Sequence, residues 1–195
     1  MNTLSYGLLA FLARESSSGY DVMLKIQPFW QAKHSQIYPL LAQMEENELL
    51  TSYWVKQSEK PDKKIYSITD NGIRKLKEWM YKPLPDPVTR DELSMKTFCM
   101  WLTDRDNAIE IIESRKAYFL RRLESFRKML QKIPEDKRGF GNREFYDYIL
   151  VQKGIFNATA GLDWCSWVLA MLKEQQAKDS TAHSEQSVPS VNQKI

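Results

Sequence analysis

Between Leu49 and Ile68 the hydrophobic pattern changes period, and that change narrows the possible architectures more than any other feature of the chain. Before it, apolar residues recur every three or four positions, as on a helix. Leu49 to Val55 (LLTSYWV) is instead rich in β-branched and aromatic residues, Ser58 to Lys63 (SEKPDK) is a polar turn, and Lys64 to Ile68 (KIYSI) alternates. After Thr69-Asp70-Asn71-Gly72, which caps a new helix, the period returns to that of a helix. The chain is therefore mainly α with a small β-hairpin.

Three helices precede the hairpin. Residues 3–13 place Leu4, Leu8, Phe11 and Leu12 on one side. Residues 20–26, with Ser18 as cap, turn Tyr20, Met23 and Leu24 inward, and Pro28 ends them. Residues 33–48 bury Ile37, Leu40, Leu41 and Met44, with Pro39 near the start, where a missing N–H costs least. The helix after the hairpin carries Ile73, Leu76, Trp79 and Met80. Three helices, a hairpin and a closing helix make an N-terminal winged helix-turn-helix over residues 1–82.

PLPDPV, within a linker at residues 83–90, is too rich in proline to be helical. A helical dimerisation domain is expected over residues 91–178: a helix at about 91–102, a long one capped by Thr103 or Asp104 and stopped by Pro134, and a longer one capped by Asn142. The last two carry heptad seams. One runs Ile109, Ile112, Lys116, Phe119, Leu123, Phe126, Leu130, Ile133; the other runs Tyr148, Val151, Ile155, Ala158, Leu162, Cys165, Leu169, Leu172. A second apolar face on the final helix (Phe145, Phe156, Trp164, Trp167, Met171) calls for another partner, most simply the same helix of a second copy. Residues 179–195 lack periodicity and read as a disordered tail.

Several classes are excluded. No apolar run reaches the ~20 residues of a membrane span, and the N-terminal segment has neither a basic start nor a small-residue cleavage site. That points to a cytoplasmic protein without membrane association. Cys99 and Cys165 both lie in apolar helical stretches and read as buried, reduced thiols. There is no phosphate-cradling glycine loop, and the two histidines, His34 and His183, assemble no metal cluster or Cys–His pair. Neither an enzyme nor a cofactor or metal is expected.

Binding is the remaining class. The net charge is only +3, so location has to carry the argument. Lys33, His34, Ser35, Gln36 and Tyr38 stand at the N-terminal end of the third helix, the end that enters the major groove if this helix reads DNA. Gln36 suits an adenine edge, and Ser35 and Tyr38 suit phosphates. Lys60, Lys63 and Lys64 give the hairpin tip cations for the DNA backbone, with Tyr66 just behind them. The alternative is a winged-helix protein-interaction module without DNA binding. From Arg115 to Arg143 ten basic residues face three acidic ones, the pattern of a solvated arm.

AKHSQIYPLLAQMEENELL, KKIYSITDNG and Ser18-Gly19-Tyr20-Asp21 resemble the PadR family of transcriptional regulators. The likeness continues more weakly through Asp91-Glu92-Leu93-Ser94-Met95-Lys96 into the C-terminal helices of the family's larger subgroup. One departure is Asn47-Glu48-Leu49, where the family commonly has glycine. Asn or Glu must take a backbone conformation there that glycine adopts more cheaply. The resemblance implies a homodimeric, double-stranded-DNA-binding repressor, released in some members by a small aromatic effector such as a phenolic acid. Candidate pocket residues are Tyr6, Trp101, Phe119, Tyr148, Trp164 and Trp167, with Arg115 or Lys116 to meet a carboxylate. The competing reading makes them core and interface packing, with Lys116 snorkelling out of its seam.

Overall fold

The computed structural model describes residues 1–58, 61–87 and 90–185, with side chains described to residue 174. The chain divides into two compact units, Met1–Val88 and Thr89–Ile195.

The first unit runs α1 (Thr3–Leu12), β1 (Ser17–Ser18), α2 (Gly19–Ile26), α3 (His34–Glu46), β2 (Leu50–Val55), β3 (Lys63–Ile68) and α4 (Asp70–Met80). Side-chain caps start the helices: Asn2 accepts from the Ser5 amide at 2.9 Å, Ser18 from Asp21 at 3.2 Å and Thr69 from Gly72 at 3.0 Å. The Thr69 hydroxyl also donates to the Glu48 carbonyl at 2.8 Å, tying the start of α4 to the end of α3. Gly72 is needed there because a Cβ would come within 2.4 Å of the Leu49 carbonyl oxygen. Of Asn47 and Glu48, the two residues left open by the missing glycine, Glu48 takes the left-handed conformation that closes a helix, with φ +57°. Pro39 lies in the second turn of α3, so the Ser35 carbonyl lacks its usual helical donor.

The sheet is antiparallel, in the order β1-β3-β2, with Leu50 opposite Ile68, Trp54 opposite Lys64 and Ser17 opposite Tyr66. The short β1 is not expected from the sequence, where Ser18 reads only as the cap of the second helix. The core gathers Leu8, Leu9, Val22, Ile37, Leu41, Met44 and Leu50. On α2 the inward face is Val22, Met23 and Ile26, whereas Tyr20 and Leu24, expected inside, are half exposed. The helix begins at Gly19, and its tight seat against Tyr38 and Leu41 sets which side turns inward. Met80 is likewise exposed, and Tyr6 of α1 stacks on Trp79 of α4, ring centroids 4.6 Å apart.

The second unit holds α5 (Glu92–Phe98), α6 (Arg105–Gln131) and α7 (Glu144–Glu185), with 3-10 turns at Met100–Leu102 and Glu135–Lys137. Phe126 lies on Gly154 and Phe119 on Gly161, so α6 and α7 run antiparallel. A Cβ on either glycine would meet the phenyl ring at about 2.5 Å, which is why the helices approach so closely. Both heptad seams are realised: Ile112, Leu123, Phe126 and Ile133 are buried on one side, Val151, Ala158, Cys165 and Leu169 on the other. Arg138 closes the end of α6, donating to the Ile133 carbonyl at 2.9 Å. Asp104 caps α6, accepting from the Asn107 amide at 2.8 Å.

Four expectations are corrected in this unit. Trp164 packs with Ile112, Cys165 and Leu169 instead of belonging to the outward face. Cys99 is exposed, because α5 ends there; Cys165 is buried, and burial pushes its thiol pKa up. The Asn142 side chain turns back to the Gly139 carbonyl (3.3 Å), and α7 starts at Glu144. That helix continues to Glu185, so residues 179–185, read as tail, are helical, while 186–195 lie outside the described residues. Its stretch Glu144–Glu174 is by length and composition apolar enough to cross a membrane, in an 18-residue window of mean hydropathy 1.2. Of that window 17% is buried: one seam packs on α6, and the outer side of the helix, with Phe156 and Trp167, is exposed.

Candidate nucleic-acid interface

The N-terminal half of α3 is a row of exposed polar side chains. Lys33 is the N-cap, with His34, Ser35 and Gln36 on the first turn and Tyr38 on the second, while Ile37 between them is fully buried. The apolar anchor thus fixes which side these donors present. Gln36 is engaged within the helix: its Oε1 accepts the Lys33 amide at 3.0 Å, which leaves its NH₂ group free of that bond. His34 stacks between Tyr38 (5.7 Å, 9°) and Tyr20 of α2 (6.2 Å, 29°), and all three rings are exposed. The Tyr38 ring rests on Gly19, where a Cβ would come within 2.9 Å of it. Tyr20 was missed because the predicted register put it inside α2; the signal was Gly19 preceding it.

The hairpin behaves differently. Lys63 Nζ lies 2.7 Å from Asp21 Oδ2 on α2, and Lys64 Nζ lies 2.7 Å from Glu45 Oε2 on α3. The Ser18 hydroxyl also donates to Asp21, and the Ser52 hydroxyl to Glu45. The hydrogen bonds from Lys63 and Ser18 hold the Asp21 carboxyl below its ordinary value, and those from Lys64 and Ser52 do the same for Glu45. The bond to Glu45 raises Lys64 in turn. Lys64 also sits 5.1 Å over the ring of Tyr66. Tyr66 itself is 5% exposed and belongs to the core, a correction to its expected place at the interface: it shares a face of β3 with Lys64, whose longer side chain lies over its ring. Lys60 lies outside the described residues. Trp54, opposite Lys64 and 66% exposed, is an aromatic of the wing that the sequence reading did not single out.

The effector candidates do not come together as one pocket. Tyr6 is buried in the first unit against Trp79. Trp101 and Trp167 are exposed, and Tyr148 lies 5.6 Å beneath the Arg138 guanidinium. Lys116 is half-buried in its seam. Phe119 and Trp164 line a cavity of about 410 Å³ with Asp91, Ser94, Thr97 and Gly161. Arg115, 3.7 Å from Asp91, lines a neighbouring groove of about 600 Å³ with Lys96 and Tyr118. The Thr97 hydroxyl is buried and lacks a hydrogen-bond partner among the described residues. Among them too, no cluster of His, Cys, Asp and Glu is arranged to hold a metal.

A helix end crowded with exposed donors, followed by a paired hairpin, defines a winged-helix transcriptional regulator. The comparisons agree. Residues 8–78 match the "Transcriptional regulator PadR-like family" and residues 89–173 the "Virulence activator alpha C-term" family. Residues 8–78 thus carry a PadR-like transcriptional-regulator domain, and the relatives that match along most of the chain are transcriptional regulators. It is similar to the negative transcriptional regulator PadR of Bacillus subtilis, with 28% identity over 88% of this chain and 98% of that protein. The crystal structure of that regulator with operator DNA superposes with a TM-score of 0.74 at 27% identity, covering 88% of this chain and 99% of the other. Its structure with p-coumaric acid gives 0.70 at 25% identity, with the same coverage of each chain.

Proposed function

We propose that this protein is a cytoplasmic, homodimeric, sequence-specific DNA-binding repressor acting at an inverted-repeat operator. Residues 1–82 bind DNA, residues 83–90 link, and the helices after them dimerise. The single observation that carries the reading is the exposed row Lys33, His34, Ser35, Gln36 and Tyr38 at the N-terminal end of α3. Gln36 and Lys33 read base edges; Ser35, Tyr38, Lys63 and Lys64 hold phosphates. The exposed α7 residues Phe156, Trp167 and Met171 supply the dimer face. The two-fold then sets the recognition helices about 34–36 Å apart, one turn of the duplex.

Release by a small aromatic acid fits the cavity between α5, α6 and α7. Phe119 and Trp164 offer it apolar walls and the Thr97 hydroxyl an open hydrogen bond, while Arg115, 3.7 Å from Asp91, stands in the neighbouring groove. The test is a mobility-shift titration against the protein's own promoter region, at two salt concentrations and with a panel of phenolic acids including p-coumaric acid. Retardation that weakens with salt and is reversed by one of the acids is expected. Absence of any salt-dependent shift would instead make the fold a protein-interaction module.

A further inference from the structure

We propose that Asp21 and Glu45 are internal competitors for the duplex. They hold the wing lysines in the free protein, and DNA binding exchanges each carboxylate for a backbone phosphate. The inference rests on the DNA-binding reading above and assigns affinity-setting roles to two acidic residues.

The geometry is the same twice. Lys63 and Lys64 are adjacent on β3, and each ends 2.7 Å from a carboxylate oxygen on a different helix, α2 or α3. Each carboxylate is also fixed by a hydroxyl, Ser18 for Asp21 and Ser52 for Glu45, so it is held in place to receive its lysine. Neither pair is enclosed: side-chain exposures are 37% and 36% for Lys63 and Asp21, 29% and 32% for Lys64 and Glu45. A phosphate can reach the ammonium from the solvent side. A carboxylate and a phosphate offer an ammonium the same acceptor, an anionic oxygen, so one replaces the other without moving the strand. Pairs this open to solvent are weak, and giving one up costs little.

The consequence is a low sequence-independent affinity. Residues 1–82 hold 11 basic and 9 acidic residues, and two of those acids stand directly against the wing cations. Every duplex has phosphates, so a lysine already satisfied at home gains less from an arbitrary sequence. The base-reading end of α3 then carries a larger share of the total.

The test uses full-length protein and fluorescence anisotropy on a random-sequence duplex and on the operator, over a range of salt. Asp21→Asn and Glu45→Gln are measured alone and combined with Lys63→Met and Lys64→Met respectively. Each acid-to-amide variant is expected to bind random duplex up to about fivefold more tightly. That gain should vanish when the partner lysine is absent. Each lysine variant should lower the salt slope by roughly one, whereas the amide variants leave it unchanged. A gain equally large without the lysine means general charge repulsion and overturns the exchange. Weaker binding by Glu45→Gln, in a protein that melts like wild type, overturns it in favour of a brace between wing and helix. Wild type that binds no duplex at low salt removes the DNA reading itself, and the exchange with it. Asp21 and Glu45 lie on different helices, so one variant that fails to fold leaves the other to decide.

Discussion

The two units differ in how much of a closed core their large apolar side chains build. In the first, Leu8, Leu9, Val22, Ile37, Leu41, Met44 and Leu50 are all at 2% exposure or less, drawn from α1, α2, α3 and β2 around one centre. In the second, Ile112, Val151 and Cys165 reach that level, while Phe98, Trp101, Phe156 and Trp167 are 62–79% exposed. A helical hairpin has one buried seam per helix; it has no third layer to cover the outer side of α7. The first unit therefore closes a core from its own chain, with Trp54, Met80 and Tyr81 left 66–91% exposed on its surface. The second needs a further surface, and a second copy of the same helices is the simplest one that is always present.

The strongest way to break this comparison is to separate the units. A fragment of residues 1–88 is expected to stay folded, to be monomeric, and to bind the operator on the order of 10²–10⁴ times more weakly than the full chain. Sedimentation and anisotropy measure both quantities; a dimeric fragment with full affinity would place the assembly in the first unit. Next in size are Trp167→Ala and Phe156→Ala, each expected to weaken the dimer by ~1.5–3 kcal/mol if these rings are buried against a partner. Dilution sedimentation checks this, and an unchanged dimer constant leaves the two rings in water.

Gln36→Ala and Tyr38→Ala sharpen the other half of the comparison. Each should cost ~1–3 kcal/mol of operator binding with the melting temperature and dimer unaltered. Gln36→Ala also removes the acceptor of the Lys33 amide, so helix content by circular dichroism must be shown to match wild type. The smallest effect is expected at Glu48. With φ +57° it sits where a side chain is strained, and Glu48→Gly should stabilise the protein by about 1 kcal/mol against urea. A loss of stability there would mean that the glutamate side chain makes up for its backbone.

Much of this was legible in advance because periodicity is a local property. The two heptad seams, the hairpin, Ile37, Leu41 and Met44 as the buried side of α3, and the strain at Glu48 all follow from spacing or from a residue type at one position. The row from Lys33 to Tyr38 was legible for the same reason, since a buried Ile37 fixes where its neighbours point. Tyr66 was misjudged from local character: Lys63 and Lys64 stand just before it, but its ring packs into the core of the first unit.

What the sequence by itself determined, then, is the order of elements, the helical seams and the polar end of α3. Each is set by interactions within about two turns or one strand. Only the tertiary structure decided that Ser17 and Ser18 form a strand, since two serines carry no pattern until Tyr66 and Ile65 lie opposite them. It alone placed Tyr20 beside His34, turned Trp164 inward, and brought Asp21 and Glu45 against lysines 42 and 19 positions away. Ion pairs and ring stacks between separate elements depend on where those elements dock, and docking is settled by the whole core rather than by any segment of it.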